Sequence, residues 1–305
     1  MKNFNVTVLA KWQVVIPKEL RDEMWISVGN NLTCFARWSA LVLKKKIETI
    51  SYWSMSSGDQ FPVGVESDGT TLSIAIDQFT WVTCLLWKAW FGKSVHALNM
   101  MVNMYTSWKS IIIFDPYGDR IAEIKNYISD LGENDMYHYV VGDSNDRLSF
   151  KNKILQDKKQ KIITISTNFQ WIWSKKSAEL SIPIILDCYK QVVHDDTAVF
   201  IDEFSIYFDE KLLGAITSAP WYTCILDQSW DTLSRSQIIT VFDKVNHMAI
   251  YQVWGLTAKY LVEDIGLSHT VQDLRSIEKY HFYFHSTIWN KNIWQLLLSI
   301  YPLSY

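Results

Sequence analysis

Glycine is scarce in this chain. Eleven glycines stand in 305 residues, about half the roughly 7% usual in proteins. Cysteine is also sparse: Cys34, Cys84, Cys188 and Cys224 are far apart and form no C-x-x-C pair. That spacing gives no disulfide or metal-site pattern and suggests buried thiols in a reducing compartment. Charge of one sign is missing as well, since 29 basic and 32 acidic residues leave a net charge of −3. No global basic field advertises nucleic acid, although a local basic channel would not show in such a sum. No apolar run approaches the ~18 residues of a membrane span. The start, MKNFNVTV, lacks the apolar centre of a signal peptide, so the expectation is a cytoplasmic protein with no membrane span. What is present is a globular mixture, 49% hydrophobic and 20% charged, long enough for one large or two ordinary domains.

Tryptophan is in excess where glycine is short. The fifteen tryptophans and eleven glycines together make 26 of 305 residues, about the normal glycine share. Several stand where a turn is wanted: Trp12, Trp25 and Trp108 border strands or a helix, Trp221 follows Pro220, and Trp230 closes a strand. We read many of these positions as UGA codons in a lineage that reads UGA as glycine; the alternative is a naturally tryptophan-rich protein with a decayed phosphate loop. The intact mass of the native protein tests this, because a mass matching the printed chain rules it out.

The stretch WVTCLLWKAWFGKS at 81–94 reads as a strand, a phosphate loop and a helix start. In the pattern G-x-x-x-x-G-K-[ST], loop amides and the helix N-terminus cradle phosphates, the lysine reaches the outer phosphates and the hydroxyl helps hold Mg²⁺. Gly92, Lys93 and Ser94 fit it. Trp87 occupies the first glycine position and Trp90 an inner one. The candidate nucleotide-binding set is therefore Trp87, Lys88, Ala89, Trp90, Phe91, Gly92, Lys93, Ser94 and Val95. An indole fills the space where backbone must approach pyrophosphate, so the printed loop should bind nucleotide poorly and a glycine version well.

Residues 5–45 form a separate small unit. Alternation at Val6 and Val8 and at Val14 and Ile16 suggests strands, Pro17 opens a short helix, KELRDEM, and residues 32–43 suggest a hairpin. The run KWQVVIPKELRDEMWI resembles the swapped-hairpin domain of AbrB and MazE-type regulators. That resemblance implies dimerisation by strand exchange and makes Lys11, Lys18 and Arg21 candidate DNA phosphate contacts, while Asp22 and Glu23 dilute the charge. A purely oligomerising role is the alternative. Residues 47–60, polar and serine-rich, read as a linker. The expected division is 1–46 for the hairpin domain, 47–60 for the linker and 61–305 for a nucleotide-binding domain.

Beyond the linker, FPVGVESDGTTLSIAI (61–76) reads as two strands around Asp68-Gly69. A helix follows the phosphate loop at about 94–106. Strands are then expected at 109–115, 137–141, 161–167, 197–204, 222–229 and 247–253, with a helix at 176–194 and helical periodicity at 120–131. Alternating strands and helices mean an α/β fold, a mostly parallel sheet with helices on both faces. The carboxyl ends of its strands face a ligand crevice, and those ends carry Asp115, Asp202-Glu203 and Gln228. AVFIDEF has the form of a Walker B strand, in which Asp202 joins Ser94 around Mg²⁺ and Glu203 polarises the attacking water.

With G-V-E-S-D-G, GKSV, IIIFDPYGDR, VFIDEF, ILDQS and the tail segments VNHMAIYQV, LTAKYLVEDIGL and KYHFYFH in order, residues 61–288 resemble the HerA/FtsK superfamily of P-loop ATPases. Its conjugative coupling and DNA-pumping branches are included. The resemblance implies a RecA-like fold, ATP with Mg²⁺, ring assembly, DNA as partner, hydrolysis at subunit interfaces, Gln228 as sensor of the γ-phosphate, and an arginine completing a neighbour's site. Arg235 and Arg275 are the candidates for that arginine. Lys93, Glu203 and Gln228 form the expected catalytic set of an ATP-driven, DNA-translocating motor. The alternative is a catalytically degenerate regulator acting through its N-terminal hairpins, self-associated as a dimer. His281 and His285, on what reads as the final strand, make a weak metal pair, and residues 289–305 read as an amphipathic ending.

Overall fold

Five-residue runs such as SIIIF and TAVFI carry no polar residue beyond their first position, which is what a strand covered on both faces requires. The computed structural model describes residues 7–8, 14–15, 18, 32–37, 40–45, 60–66, 70–75, 82–86, 93–106, 109–116, 124, 136–140, 161–166, 175–191, 197–219, 222–228, 230, 232–267, 269–278, 281–286 and 295–298. The chain divides into two compact units, residues 1–51 with 304–305 and residues 52–303.

In the first unit, β1 (Thr7–Val8) pairs antiparallel with β2 (Val14–Val15). β3 (Leu32–Arg37) pairs antiparallel with β4 (Ala40–Lys45), Cys34 opposite Leu43. These are the strands and the hairpin that the alternation suggests. Lys18 is helical and exposed. Lys11 and Arg21 lie outside the described residues.

The second unit begins with the hairpin of β5 (Gln60–Val65) and β6 (Thr71–Ala75). The Glu66 N–H donates to the Thr70 carbonyl at 2.8 Å across its turn. Then come β7 (Val82–Leu86), α1 (Lys93–Thr106), β8 (Ser110–Phe114), β9 (Met136–Val140), β10 (Ile162–Ser166), α2 (Lys175–Gln191) and β11 (Thr197–Ile201). A 3-10 turn (Phe204–Tyr207), α3 (Glu210–Ser218), β12 (Tyr222–Asp227), α4 (Arg235–Phe242), β13 (His247–Ile250), α5 (Gly255–Glu263), α6 (Val271–Arg275), β14 (His281–Ser286) and β15 (Gln295–Leu298) complete it.

Among the described residues these strands make one eleven-stranded sheet in the order β6-β5-β15-β14-β13-β7-β12-β11-β8-β10-β9. From β13 to β9 every pairing is parallel; from β13 to β6 every pairing is antiparallel. Alternate residues of each central strand serve opposite faces. Val82, Cys84, Leu86, Ile112, Val199 and Ile225 pack with residues of α2 through α6. Leu85, Ile111, Ile113, Phe200 and Leu226 pack with Ala97, Met100, Met101 and Met104 of α1. Helices therefore cover both faces, as the alternation of strands and helices predicts.

One expectation fails. Residues 281–285 are not the last strand, because β15 pairs antiparallel with β14, Phe282 opposite Leu297, and continues through Leu298 to Val65 of β5. The amphipathic look of 289–305 comes in part from a strand's alternation, with Leu297 buried and Leu296 exposed.

Candidate active site

The parallel order places the carboxyl ends of β8, β11, β12 and β7 along one edge of the sheet. Six residues separate the end of β7 from Lys93, the first residue of α1. Trp87, Lys88, Ala89, Trp90, Phe91 and Gly92 lie outside the described residues. Lys93, Ser94 and Val95 open α1, whose amide end is electropositive; their side chains too lie outside the described part. Strand, six-residue connection and helix thus appear where the phosphate-loop pattern predicts them.

The flanks of that connection are tied to β13. The Tyr251 N–H donates to the Leu86 carbonyl at 2.9 Å, and the Tyr251 hydroxyl meets Nδ1 of His96, one turn into α1, at 2.6 Å. His96 is buried, and that burial lowers its pKa to about 4, so the ring is neutral at physiological pH. It packs edge-on against Phe282 and Tyr251. The His96–Tyr251 contact was not legible in the sequence, since 155 residues separate the partners.

Four acids crowd the strand ends: Asp115, Asp202, Glu203 and Asp227 are 0, 1, 7 and 2% exposed. The backbone ladder carries past the strands to hold them. The Asp115 N–H donates to the Ile165 carbonyl and the Asp202 N–H to the Phe114 carbonyl, each at 2.9 Å. Oδ1 of Asp202 accepts from the Glu203 N–H at 3.1 Å. Glu203 itself leaves the strand with φ 53° and ψ 49°, the only non-glycine with positive φ among the described residues. A side chain in that left-handed region costs about 1–2 kcal/mol, and such strain gathers at functional positions. Gln228, one residue beyond β12, donates from Nε2 to Oε1 of Glu203 at 2.5 Å. The two strand-end residues singled out from sequence therefore touch.

Asp227 is the residue that sequence reading passed over. Its Oδ2 accepts from the Ser205 N–H at 2.5 Å and its Oδ1 from the Ser205 hydroxyl at 3.2 Å. The one available signal was an acid closing an otherwise apolar strand beside Gln228.

Among the described residues no three His, Cys, Asp or Glu side chains converge on a metal-binding point, which covers His281 and His285 as well. Asp202 is a buried carboxylate at a strand end, the donor type that Mg²⁺ takes one or two at a time together with waters and substrate phosphates. The two candidate arginines differ in setting. Arg235, at the start of α4, pairs with Asp264 after α5. Arg275, at the end of α6, is exposed, and its guanidinium lies beside Gly255. Its carbonyl accepts from the Gln252 side chain.

Trp230, three residues past β12, starts a turn through the Leu233 N–H to its carbonyl at 2.9 Å. Its ring is 0% exposed within the core, and the buried indole N–H has no hydrogen-bond partner among the described residues. Cys84, Cys188 and Cys224 are buried free thiols. Burial pushes Cys188 up to about 12 and raises Cys84 and Cys224 as well. No helix among the described residues is long and apolar enough to cross a membrane.

No protein-family model and no curated protein matches the sequence. Solved structures do. The chain is similar to VirB4 of Thermoanaerobacter pseudethanolicus, with a TM-score of 0.58 at 11% identity over 82% of this chain and 98% of that one. It is similar to Thermomonospora curvata EccC (ATPases 2 and 3) in complex with a signal sequence peptide, with a TM-score of 0.51 at 10% identity over 86% of this chain and 45% of that one. The genome packaging NTPase B204 of Sulfolobus turreted icosahedral virus 2 aligns at 16% identity and a TM-score of 0.46, over 72% of this chain and 97% of that one. The likeness to VirB4 and EccC shows the fold, the RecA-like α/β fold of P-loop ATPases.

Proposed function

We propose that the chain is an ATP-driven motor of the HerA/FtsK kind that moves DNA. The observation that carries this reading is the Gln228–Glu203 hydrogen bond at adjacent strand ends, one strand from the β7–α1 connection. In this reading ATP lies with its phosphates over residues 87–95 at the amide end of α1, and Lys93 neutralises the outer phosphates. Ser94 and Asp202 hold Mg²⁺, which supplies charge neutralisation on the phosphates when bound. Glu203 orients and polarises the attacking water, and Gln228 is placed to report the γ-phosphate to it. A neighbouring subunit supplies an arginine across the interface of a ring. Of the two candidates we favour Arg275, because Arg235 is already engaged by Asp264.

The reading extends to the first unit, in which paired hairpins self-associate and present Lys11, Lys18 and Arg21 to DNA phosphates. The domain limits that go with it are 1–46, 47–60 and 61–305. The test is hydrolysis of ATP by the chain carrying Trp87→Gly and Trp90→Gly, with and without duplex DNA. Mg²⁺-dependent hydrolysis that rises on adding DNA is expected. Sequence-specific duplex binding with neither hydrolysis nor nucleotide binding overturns the motor and leaves a regulator acting through its N-terminal unit.

A further inference from the structure

The turn after β11 has to hold Glu203 in a conformation that its own side chain disfavours. β11 and β12 run parallel with Ile201 level with Ile225, so the residue level with Glu203 is Asp227. Asp227 does not reach for Glu203. It reaches two residues further along the turn and takes both the amide hydrogen and the hydroxyl hydrogen of Ser205, at 2.5 and 3.2 Å. Its neighbour Gln228 meanwhile donates to Glu203. Two consecutive residues at the end of β12 thus grip positions 203 and 205 of one turn, and the Ile206 N–H closes that turn on the Glu203 carbonyl at 3.0 Å.

A carboxylate is an expensive group to place here. It is buried beside Asp202 and Glu203 at the edge where the proposed nucleotide phosphates would lie, and burial of an anion is offset only by charge-assisted hydrogen bonds. A hydroxyl or an amide would accept from Ser205 at lower cost. What the carboxylate adds is two acceptor oxygens held in one plane, enough to fix the direction of the Ser205 backbone and hydroxyl together.

Resting on the ATPase reading above, we propose that Asp227 is a positioning residue, a latch on the Glu203 turn. By fixing Ser205 it holds Glu203 in the left-handed region, and the Glu203 carboxylate stays at the distance where Gln228 can bind it. Released from the latch, residue 203 relaxes toward the ordinary right-handed or extended backbone, and its carboxylate leaves the position from which it would act on water.

Three variants in the Trp87→Gly, Trp90→Gly background test this: Asp227→Ala, Asp227→Asn and Ser205→Ala. Hydrogen bonds to charged groups of this strength make the expected fall in kcat for Asp227→Ala on the order of 10- to 100-fold, with KM for ATP held within about 3-fold. Asp227→Asn, which keeps one acceptor oxygen, recovers part of that loss, and Ser205→Ala, which keeps the backbone bond, loses less than Asp227→Ala. Amide hydrogen exchange on the nucleotide-free protein gives a readout independent of catalysis. The Ser205 amide should exchange on the order of tenfold faster in Asp227→Ala while the amides of β11 and β12 keep their protection.

A folded Asp227→Ala protein with unchanged kcat overturns the proposal. So does a loss shared equally by kcat, nucleotide affinity and sheet protection, which would mark Asp227 as merely structural. If the parent protein neither binds nor hydrolyses ATP, the ATPase reading fails on its own, and an unchanged Ser205 exchange rate then overturns the latch separately.

Discussion

The side-chain amide of Gln228 donates to the Glu203 carboxylate at 2.5 Å, joining the ends of two adjacent parallel strands. One partner is the candidate base and the other the candidate sensor. Glu203→Gln should lower kcat by about 10²–10⁴-fold while nucleotide binding persists, and Gln228→Ala should lower it less. Single-turnover hydrolysis set beside equilibrium nucleotide binding separates the two quantities. Loss of binding in Glu203→Gln would place Glu203 in the fold and not in the chemistry.

His96 makes the fold sensitive to acid. Its pKa is lowered by burial from 6.5 to about 4, so between those values the unfolded chain binds the proton and the folded one does not. Stability is full above pH 6.5 and falls as the pH drops toward 4, by about 3 kcal/mol at most from this group. The double variant His96→Phe, Tyr251→Phe, which removes both hydrogen-bond partners, should flatten that slope in urea unfolding at pH 7 and pH 4.5. An unchanged slope contradicts the assignment.

Arg235 and Arg275 should separate by what their loss does. The Arg235 side chain is 67% exposed but its partner Asp264 only 3%, so Arg235→Ala strands a buried carboxylate and should cost about 1–3 kcal/mol of stability. Arg275→Ala should leave the melting temperature unchanged and lower hydrolysis in the assembled protein. Thermal melts alongside ATPase assays check both, and a stable Arg235→Ala protein with lost hydrolysis would reverse the choice.

The thiols give a check on the core. Burial holds Cys84, Cys188 and Cys224 above the ordinary thiol range, so none of the three should react with a thiol reagent in the native state at pH 8, and all should react after unfolding. Rapid native reaction at Cys84 or Cys224 would mean that the centre of the sheet is not covered as described.

Much of this was legible in the sequence because it is local. The apolar runs of β8, β11 and β12 end in polar residues, and parallel topology sends those ends to one edge, so Asp202, Glu203 and Gln228 could be grouped without coordinates. What escaped depends on contacts between distant segments or on backbone angle. Asp227 reads as the end of a strand until Ser205, 22 residues earlier, is placed against it. The positive φ of Glu203 has no sequence signal, since the residue is not one that favours it. The strand at 295–298 was missed because Gln295 and three leucines beside Trp289 and Trp294 show no alternation of their own and look like an amphipathic tail until β14 and β5 are seen on either side.

The most direct measurement is ATP turnover by two preparations side by side, the printed chain and the chain with Trp87→Gly and Trp90→Gly, each with its Glu203→Gln counterpart. The account predicts Mg²⁺-dependent hydrolysis in the glycine version, little in the printed one, and its abolition by Glu203→Gln. No hydrolysis in any of the four, with nucleotide binding also absent, would contradict it.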